Sequence, residues 1–364
     1  MTKAAEPKRI AIFLPSLAGG GAERVALASA ADLLARGHRV DLVLARKQGE
    51  LLAVVPEGAR VIDLGAKRIA AAVGPLARYL KRERPDALHA VMWPITVVGI
   101  VAHALARSKA RLMVSDQVAL SQQVTGGRQL ALLKLTTRLL YPRADIRVAC
   151  SGGAADDLAR LSRIPRDRIE VIFNPITPPK VIATNAEVEA LWGDATDRII
   201  TTGSLKEQKN HALLLQAFAM LDRPGAKLMI LGEGHLRAML EEKARALGIA
   251  DRVLMPGFAL DPWPFLASAE LFVLSSDYEG FGNVLPEAMC AGLRVVSTDC
   301  PSGPSEILEG GAFGRLVRPG DAEALAQAIA AELDCPAMPE RQRARALALS
   351  GPQTIARYTE LLTA

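Results

Sequence analysis

Two carboxylates, Glu279 and Glu287, stand with seven residues between them in Asp277-Tyr-Glu-Gly-Phe-Gly-Asn-Val-Leu-Pro-Glu287. An apolar, strand-like run at 271–275 precedes them. A Gly-rich turn at 280–282 separates them, and a helical pattern at 284–291, closed by Gly292, follows. The turn therefore belongs at the carboxyl end of a strand and at the start of a helix, where free N–H groups and the helix dipole favour an anion. Amides that bind an anion, joined to two carboxylates that accept hydroxyls, suit a phosphorylated sugar. The same residues also read as a favourable first-turn helix acid (Glu287) and a solvated loop charge (Glu279).

Pro15-Ser-Leu-Ala-Gly-Gly-Gly-Ala-Glu-Arg24 leaves the first strand and opens the first helix. Gly19, Gly20 and Gly21 let the backbone approach a ligand closely, with Glu23 just beyond them; a structural tight turn accounts for the same glycines. A dinucleotide fingerprint does not fit. The glycines are consecutive, and the second strand ends in Ala45-Arg46-Lys47, where an NAD site carries an acid for the ribose. Gly203-Ser-Leu-Lys-Glu-Gln-Lys-Asn210 follows a later strand. Lys209 sits just ahead of a helix start, where a cation opposes the dipole, and a locally unfavourable choice points to phosphates. Lys206 lies further back, and either lysine alone also reads as a solvated charge. Gly232-Glu-Gly234 and Asp299-Cys-Pro-Ser-Gly-Pro-Ser-Glu306 are further strand-end turns.

These segments need a scaffold that gathers strand ends. Short β-branched runs alternate with amphipathic patterns almost throughout. Strands are predicted at 10–14, 40–44, 61–64, 87–91, 112–115, 147–149 and 170–173, with helices at 22–35, 72–82, 95–106, 129–140 and 153–161. Asn174-Pro-Ile-Thr-Pro-Pro179 can continue neither element and reads as a linker. A second series follows, with strands at 199–202, 227–231, 253–255, 271–274 and 295–297 and helices at 212–221, 236–247, 286–291 and 322–333. Such alternation predicts α/β architecture: two doubly wound, Rossmann-like parallel sheets whose strand ends face a cleft. A basic, loosely patterned stretch at 340–345 precedes a last helix at 354–362. The expected domains are 1–177, joined by 352–364, and 178–351.

The chain of 364 residues is long enough for two such domains, and its 4% aromatic content leaves the cores to Ala, Leu, Val and Ile. Its net charge of +5 is scattered, which argues against a nucleic-acid binder and is compatible with an anionic substrate or membrane surface. Cys150, Cys290, Cys300 and Cys335 form no Cys-x-x-Cys motif, and the five histidines show no metal-ligand spacing, so no metal site is expected. His89 ends a strand and either reaches the cleft or is structural. The start of the chain lacks the apolar core of a signal peptide, and no apolar run is long enough to span a membrane, so a cytoplasmic protein is expected. Residues 129–143 combine leucines at helical spacing with Lys134, Arg138 and Arg143. Such a face either lies on an anionic bilayer as a peripheral contact or packs on the first domain.

Together the motifs resemble the retaining family-4 glycosyltransferases of the GT-B fold, of the type that assembles bacterial envelope glycans and exopolysaccharides. The resemblance is carried by 203–218, 231–234, Met255-Pro-Gly-Phe258 and above all 276–292. In the first half it is carried by 16–25 and Asn174-Pro175. It implies that the last helix crosses back to the first domain, and that Glu287 binds the nucleotide ribose. Glu279 would lie near the donor sugar, Lys209 on the diphosphate, and the backbone of Phe281, Gly282, Asn283, Val284 and Leu285 around sugar and diphosphate. Gly203, Ser204, Gly257 and Gly280 complete the implied donor site. Gly19, Gly20, Gly21 and Glu23 form the loop toward phosphates and acceptor.

Two positions depart from the family pattern. Ser204 stands where an Arg is usual, and Asp116 where many members carry a His beside the reacting sugar. The implied activity is metal-independent transfer, with retention, of a hexose or N-acetylhexosamine. The donor would be a nucleotide diphosphate sugar, UDP by family frequency, and the acceptor a glycan or polyprenyl-linked molecule. No cofactor is expected, and Glu279, Lys209 and Asp116 are the expected catalytic residues. A sugar-nucleotide epimerase or hydrolase, or a degenerate non-catalytic partner, are the alternatives.

Overall fold

The computed structural model describes residues 6–18, 20–124 and 126–364, which leaves Gly19 of the glycine loop outside the described residues. The first series of elements is β1 (Arg9–Leu14), α1 (Gly21–Ala35), β2 (Arg39–Leu44), β3 (Arg60–Asp63), α2 (Val73–Glu83), β4 (Ala87–Val91), α3 (Ile95–Ala106), β5 (Arg111–Asp116), α4 (Leu120–Gln123), α5 (Gly127–Leu140), β6 (Ile146–Ala149), α6 (Gly152–Ser162) and β7 (Glu170–Val171). The second is α7 (Ala186–Trp192), β8 (Asp197–Thr202), α8 (His211–Ala219), β9 (Ala226–Leu231), α9 (Arg237–Ala246), β10 (Val253–Gly257), α10 (Trp263–Ala267), β11 (Leu271–Leu274), α11 (Val284–Cys290), β12 (Arg294–Thr298), α12 (Pro304–Ile307), β13 (Arg315–Val317), α13 (Ala322–Leu333), α14 (Pro339–Ser350) and α15 (Pro352–Thr363).

The chain divides into two compact units, one running to Pro175 and completed by Pro352–Ala364, the other spanning Ile176–Gly351. The first holds a seven-stranded sheet in the order β3-β2-β1-β4-β5-β6-β7. The second holds a six-stranded sheet in the order β10-β9-β8-β11-β12-β13. All pairings are parallel. Central strands such as β1, β4 and β11 are buried on both faces, which is why β11 and residues 10–14 of β1 read as unbroken apolar runs and β4 is broken only by the buried His89. The order reverses between β1 and β4 and again between β8 and β11. In parallel sheets such reversals open a crevice at the strand carboxyl ends.

Local chemistry sets the helix ends. Ser151, Asn185 and Asp321 accept from backbone N–H groups and cap α6, α7 and α13. Helix α1 buries Ala22, Val25, Ala26, Ala30 and Leu33, a stripe at helical spacing. Helix α15 belongs to the first unit, as the resemblance implies. Its Tyr358 and Leu362 sit in the core built on β1, β2 and α1. Thr359 Oγ1 donates to Asp32 at 2.6 Å, and Arg357 pairs with Glu170 at 2.8 Å. The basic stretch at 340–345 is part of helix α14, which packs on α11. Arginines hold it there: Arg343 donates to the Cys290 carbonyl and Arg345 to those of Glu306 and Ile307, at 2.8–3.0 Å.

Candidate active site

In the second unit, β8 and β11 are neighbours, and the loops after them meet. Lys209 closes the turn before α8, and Glu279 stands five residues past β11. Lys209 Nζ donates to Glu279 Oε1 at 2.6 Å, and Ser276 Oγ donates to the same oxygen at 2.7 Å. The two charged side chains are only 12% and 8% exposed. Further bonds stitch the loops together. Ser275 Oγ donates to the Lys209 carbonyl (2.9 Å), the Asp277 amide to the Gln208 carbonyl (2.9 Å), Gln208 Nε2 to the Tyr278 carbonyl (2.8 Å) and Asn210 Nδ2 to Asp277 (2.8 Å). An ammonium has three donors, so one bond to Glu279 leaves two N–H groups for other acceptors. The charge is fixed in place before any ligand arrives.

Backbone approach shapes the surroundings. A Cβ on Gly232 would fall 1.9 Å from the Gly203 carbonyl oxygen, so the turns after β8 and β9 touch through a bare glycine. Gly303, at φ +90°, lies under Phe281: a Cβ there would be 2.0 Å from the Phe281 oxygen. The Glu279 amide donates to the Pro301 carbonyl at 3.3 Å, and Thr298 Oγ1 donates to that of Ser276 at 2.6 Å. The loop after β12 therefore supports the loop that carries Glu279. Burial, and next the Glu279 carboxylate, push the Cys300 thiol up to about 12, which keeps it protonated. His211, buried behind Lys209, is lowered to about 4 by burial first and by the Lys209 charge next, so it is neutral.

The remaining expected donor residues lie on the turns after β8 and β11, at the end of β10 and at the start of α11. Gly280, Phe281, Gly282 and Leu285 are buried, whereas Asn283, Val284 and Glu287 are half-buried. The Phe281 ring belongs to the core, so the segment offers a ligand its backbone and not this side chain. Glu287 occupies the first turn of α11 and donates its amide to the Asn283 carbonyl at 3.2 Å. Gly203 is half-buried and Ser204 exposed. Gly257 ends β10 at φ +100°, with Glu233 Oε1 3.1 Å from where a Cβ would stand. Ser276, Gln208, Asn210 and His211 were not singled out by spacing. The one signal for Ser276 was a hydroxyl pair, Ser275-Ser276, at the end of an apolar strand.

In the first unit, Gly20 is the N-cap of α1 and Gly21 its first residue. Glu23 is buried and folds back over Gly20, where a Cβ would lie 2.3 Å from Glu23 Oε2. Asp116 ends β5 and is 2% exposed. Its Oδ1 accepts from Tyr141 at 3.1 Å, and Tyr141 in turn meets Thr96 at 2.7 Å. Its Oδ2 has no hydrogen-bond partner. Burial pushes the Asp116 carboxyl up to about 7, against the lowering effect of the Tyr141 hydroxyl. His89 is structural in its surroundings, bonded to Ser115 Oγ at 2.8 Å and stacked on Tyr358. Among the described residues, no group of three or more His, Cys, Asp or Glu is placed to hold a metal ion, and no helix is long and apolar enough to cross a membrane.

Residues 19–179 match the sequence profile described as Glycosyltransferase Family 4, and residues 186–348 that of Glycosyl transferases group 1. The chain is 28% identical over 348 residues to the N-acetylgalactosamine-N,N'-diacetylbacillosaminyl-diphospho-undecaprenol 4-alpha-N-acetylgalactosaminyltransferase of Campylobacter jejuni, covering 90% of each protein. It is 36% identical over 194 residues to the lipopolysaccharide core biosynthesis glycosyltransferase LpsE of Rhizobium meliloti, 53% of this chain and 55% of the relative. In fold it resembles the crystal structure of Anabaena HepE in complex with UDP and glucose, with a TM-score of 0.84 at 20% identity over 98% of this chain and 100% of that one.

Proposed function

Because this chain belongs to the GT-B glycosyltransferases of family-4 type, we propose that it transfers a hexose or N-acetylhexosamine from a nucleoside diphosphate sugar to a glycan acceptor, with retention of anomeric configuration. UDP is the proposed carrier. A polyprenyl-linked or oligosaccharide acceptor is proposed, in bacterial envelope polysaccharide assembly at the cytoplasmic face of a membrane. The C. jejuni relative, named for a diphospho-undecaprenol substrate, and the UDP complex of HepE support these choices.

The observation that carries the reading is the Lys209–Glu279 contact at the β8/β11 reversal. As the bond from the anomeric carbon to the diphosphate oxygen breaks, negative charge builds on the leaving group. The two unused N–H groups of Lys209, with the amides of 281–284, would meet that charge in a site where it needs little reorganisation. Glu279 holds Lys209 in position and stands beside the sugar. Glu287 accepts the ribose hydroxyls. The acceptor hydroxyl attacks from the face that the diphosphate leaves and gives its proton to a leaving-group oxygen. Asp116 is proposed to hydrogen-bond the reacting sugar; near neutral pH its carboxyl can donate or accept. Lys209 and the amides supply the charge stabilisation, so activity is expected to persist in chelator.

The test is a thermal-shift panel of UDP, GDP, ADP and CDP, followed by transfer assays with the matching sugar nucleotides and NMR of the product anomer. A ligand at about 100 times its Kd adds about 2.7 kcal/mol of stability. Retention requires the product to keep the donor's anomeric configuration. Donor consumed without acceptor would mean an epimerase or hydrolase. Nucleotide bound but no donor turned over with any acceptor would mean a non-catalytic partner.

A further inference from the structure

In the second unit, Arg294 opens β12 and Arg315 opens β13, and both line a pocket of about 350 Å³. That volume falls in the range of small-molecule sites, about 300–1,000 Å³. The strands of this sheet are parallel, so these amino ends lie opposite the carboxyl-end turns that carry Lys209 and Glu279. The run of β12, at about 3.3 Å per residue, separates the two ends. Arg341, in the first turn of α14, is the third guanidinium on the wall. Among the described residues that line the pocket, Glu332 is the one carboxylate, and it accepts from Arg315 Nε at 2.9 Å. Three cations against one anion leave two positive charges unmatched, and like charges gathered on one wall repel unless an anion joins them.

Two of the guanidinium forks are not used up. Arg315 Nη2 reaches Cys335 Sγ at 3.5 Å. Arg341 Nη2 donates to the Ala312 carbonyl at 2.9 Å, and its guanidinium lies 4.6 Å from the centre of the Phe313 ring. A guanidinium carries five donors, so both keep N–H groups for an oxyanion. Arg294 differs: its Nη1 is held by the carbonyls of Glu332, Leu333 and Cys335, so it supplies charge rather than contacts. Helix α14 starts at Pro339 with no side-chain cap, which adds the partial positive charge of a helix start. An independent feature asks for a donor. Gln342 lines the same pocket and is 7% exposed. Its Nε2 donates to the Phe313 carbonyl at 3.0 Å, which orients the amide, and its Oε1 has no hydrogen-bond partner. A buried acceptor left unmet costs free energy that a ligand hydroxyl would recover.

We propose that this pocket is a second ligand site, separate from the donor site, for a small hydroxylated phosphate monoester: the phosphate meets Arg315 and Arg341, and a hydroxyl donates to Gln342 Oε1. A phosphate monoester carries about −1.5 to −2 near neutral pH, which balances the unmatched charge, whereas a monocarboxylate supplies half of it. The free phosphate ion offers the charge without the hydroxylated body that fills the pocket.

Cys335 reports on occupancy, because it lines the pocket and is half-buried while Cys150, Cys290 and Cys300 are buried. Alkylation of Cys335 by iodoacetamide in the whole chain is followed by mass spectrometry, with ribose 5-phosphate, inorganic phosphate or ribose as the probe, each with and without excess UDP. Ribose 5-phosphate should slow the labelling whether or not UDP is present. Inorganic phosphate should need a higher concentration for the same protection, and ribose should give none. Arg341→Gln should raise the concentration for half-protection about tenfold or more. Arg341→Lys, which keeps the charge and loses the fork, should raise it less. Arg318→Gln, at an 83% exposed arginine outside the pocket, should leave it unchanged. Arg341 is exposed, so melting temperatures should hold, and each rate is compared with and without probe in the same protein, so a changed Cys335 reactivity cancels. No protection by either phosphate overturns the proposal, as does undiminished protection in Arg341→Gln. Equal potency of inorganic phosphate and ribose 5-phosphate would remove the monoester assignment. Protection that UDP abolishes would move the ligand to the donor site.

Discussion

Lys209 and Glu279, seventy residues apart in the chain, share a 2.6 Å ion pair that leaves each side chain about nine-tenths buried. Two loops from non-consecutive strands are pinned by this pair, so its energetics and its chemistry can be separated by mutation. Removing one partner of a buried pair costs about 3–5 kcal/mol, because the other charge stays desolvated and alone; with some exposure remaining, the lower end is expected here. Lys209→Met should therefore destabilise the protein, and adding Glu279→Gln should restore part of the loss. Urea unfolding of the single and double variants gives the coupling energy. A double variant as unstable as the sum of its parts would mean the pair is not coupled.

Gly303 underlies the segment proposed to hold the diphosphate. An added methyl would meet the Phe281 carbonyl at 2.0 Å, at a backbone angle of φ +90°. Gly303→Ala should lose about 1–3 kcal/mol from overpacking and a further 1–2 from the left-handed backbone. It should also weaken UDP binding as 281–284 shifts. Gly310→Ala is the control. Its φ is +62° and no atom lies within 4 Å, so it carries the backbone cost alone and should leave UDP affinity unchanged. Equal UDP affinity in the two variants would move the nucleotide away from Phe281.

The fold was legible where burial is two-sided. Strand β11 and residues 10–14 of β1 are apolar throughout, and their length stands out. The edge strand β13, three residues with Arg315 exposed, carries no such signal. Helix α14 escaped because its hold on α11 and α12 comes from arginine–carbonyl bonds, which hydrophobic periodicity does not register. The candidate site was legible as separate strand-end segments. That Lys209 touches Glu279 was not, because local spacing does not say that β8 lies beside β11. Nor does it say that Ser276 shares the same carboxylate oxygen, or that Lys206, equally basic, stays exposed.

Stability should depend on pH in two opposing ways. The Asp116 carboxyl is raised by burial from 3.8 to about 7. Its contribution is complete below about pH 4 and is lost as pH rises through 7. His211 and His89 are lowered by burial from 6.5 to about 4 and about 3. Their contribution is complete above pH 6.5 and is lost as pH falls toward those values. Comparing wild type with Asp116→Asn isolates the first effect. The stability of the wild type relative to the variant should fall between pH 4 and pH 7, by an amount on the order of a few kcal/mol. A difference that stays flat across this range would mean Asp116 titrates as an ordinary carboxylate.

The two carboxylates should fail differently. Glu287 is half-buried in the first turn of α11 and is proposed to accept two vicinal hydroxyls of a ribose. A lost hydrogen bond to a charged group is worth about 1.5–3 kcal/mol, or about 10- to 150-fold in affinity. Glu287→Gln should weaken UDP and UDP-sugar alike, since both carry the ribose. Glu279 is buried and committed to Lys209 and Ser276, so its loss should loosen the ammonium that is proposed to meet the leaving group. Glu279→Gln should lower kcat more than UDP affinity, because the contact it supports gains value as charge develops in the transition state. Calorimetry with UDP and transfer rates with donor, measured below the melting onset of each variant, give both numbers. Normal UDP affinity in Glu287→Gln would remove the ribose assignment. A Glu279→Gln enzyme that keeps its kcat would show that the ion pair at the β8/β11 reversal is scaffolding and that the leaving-group charge is met elsewhere.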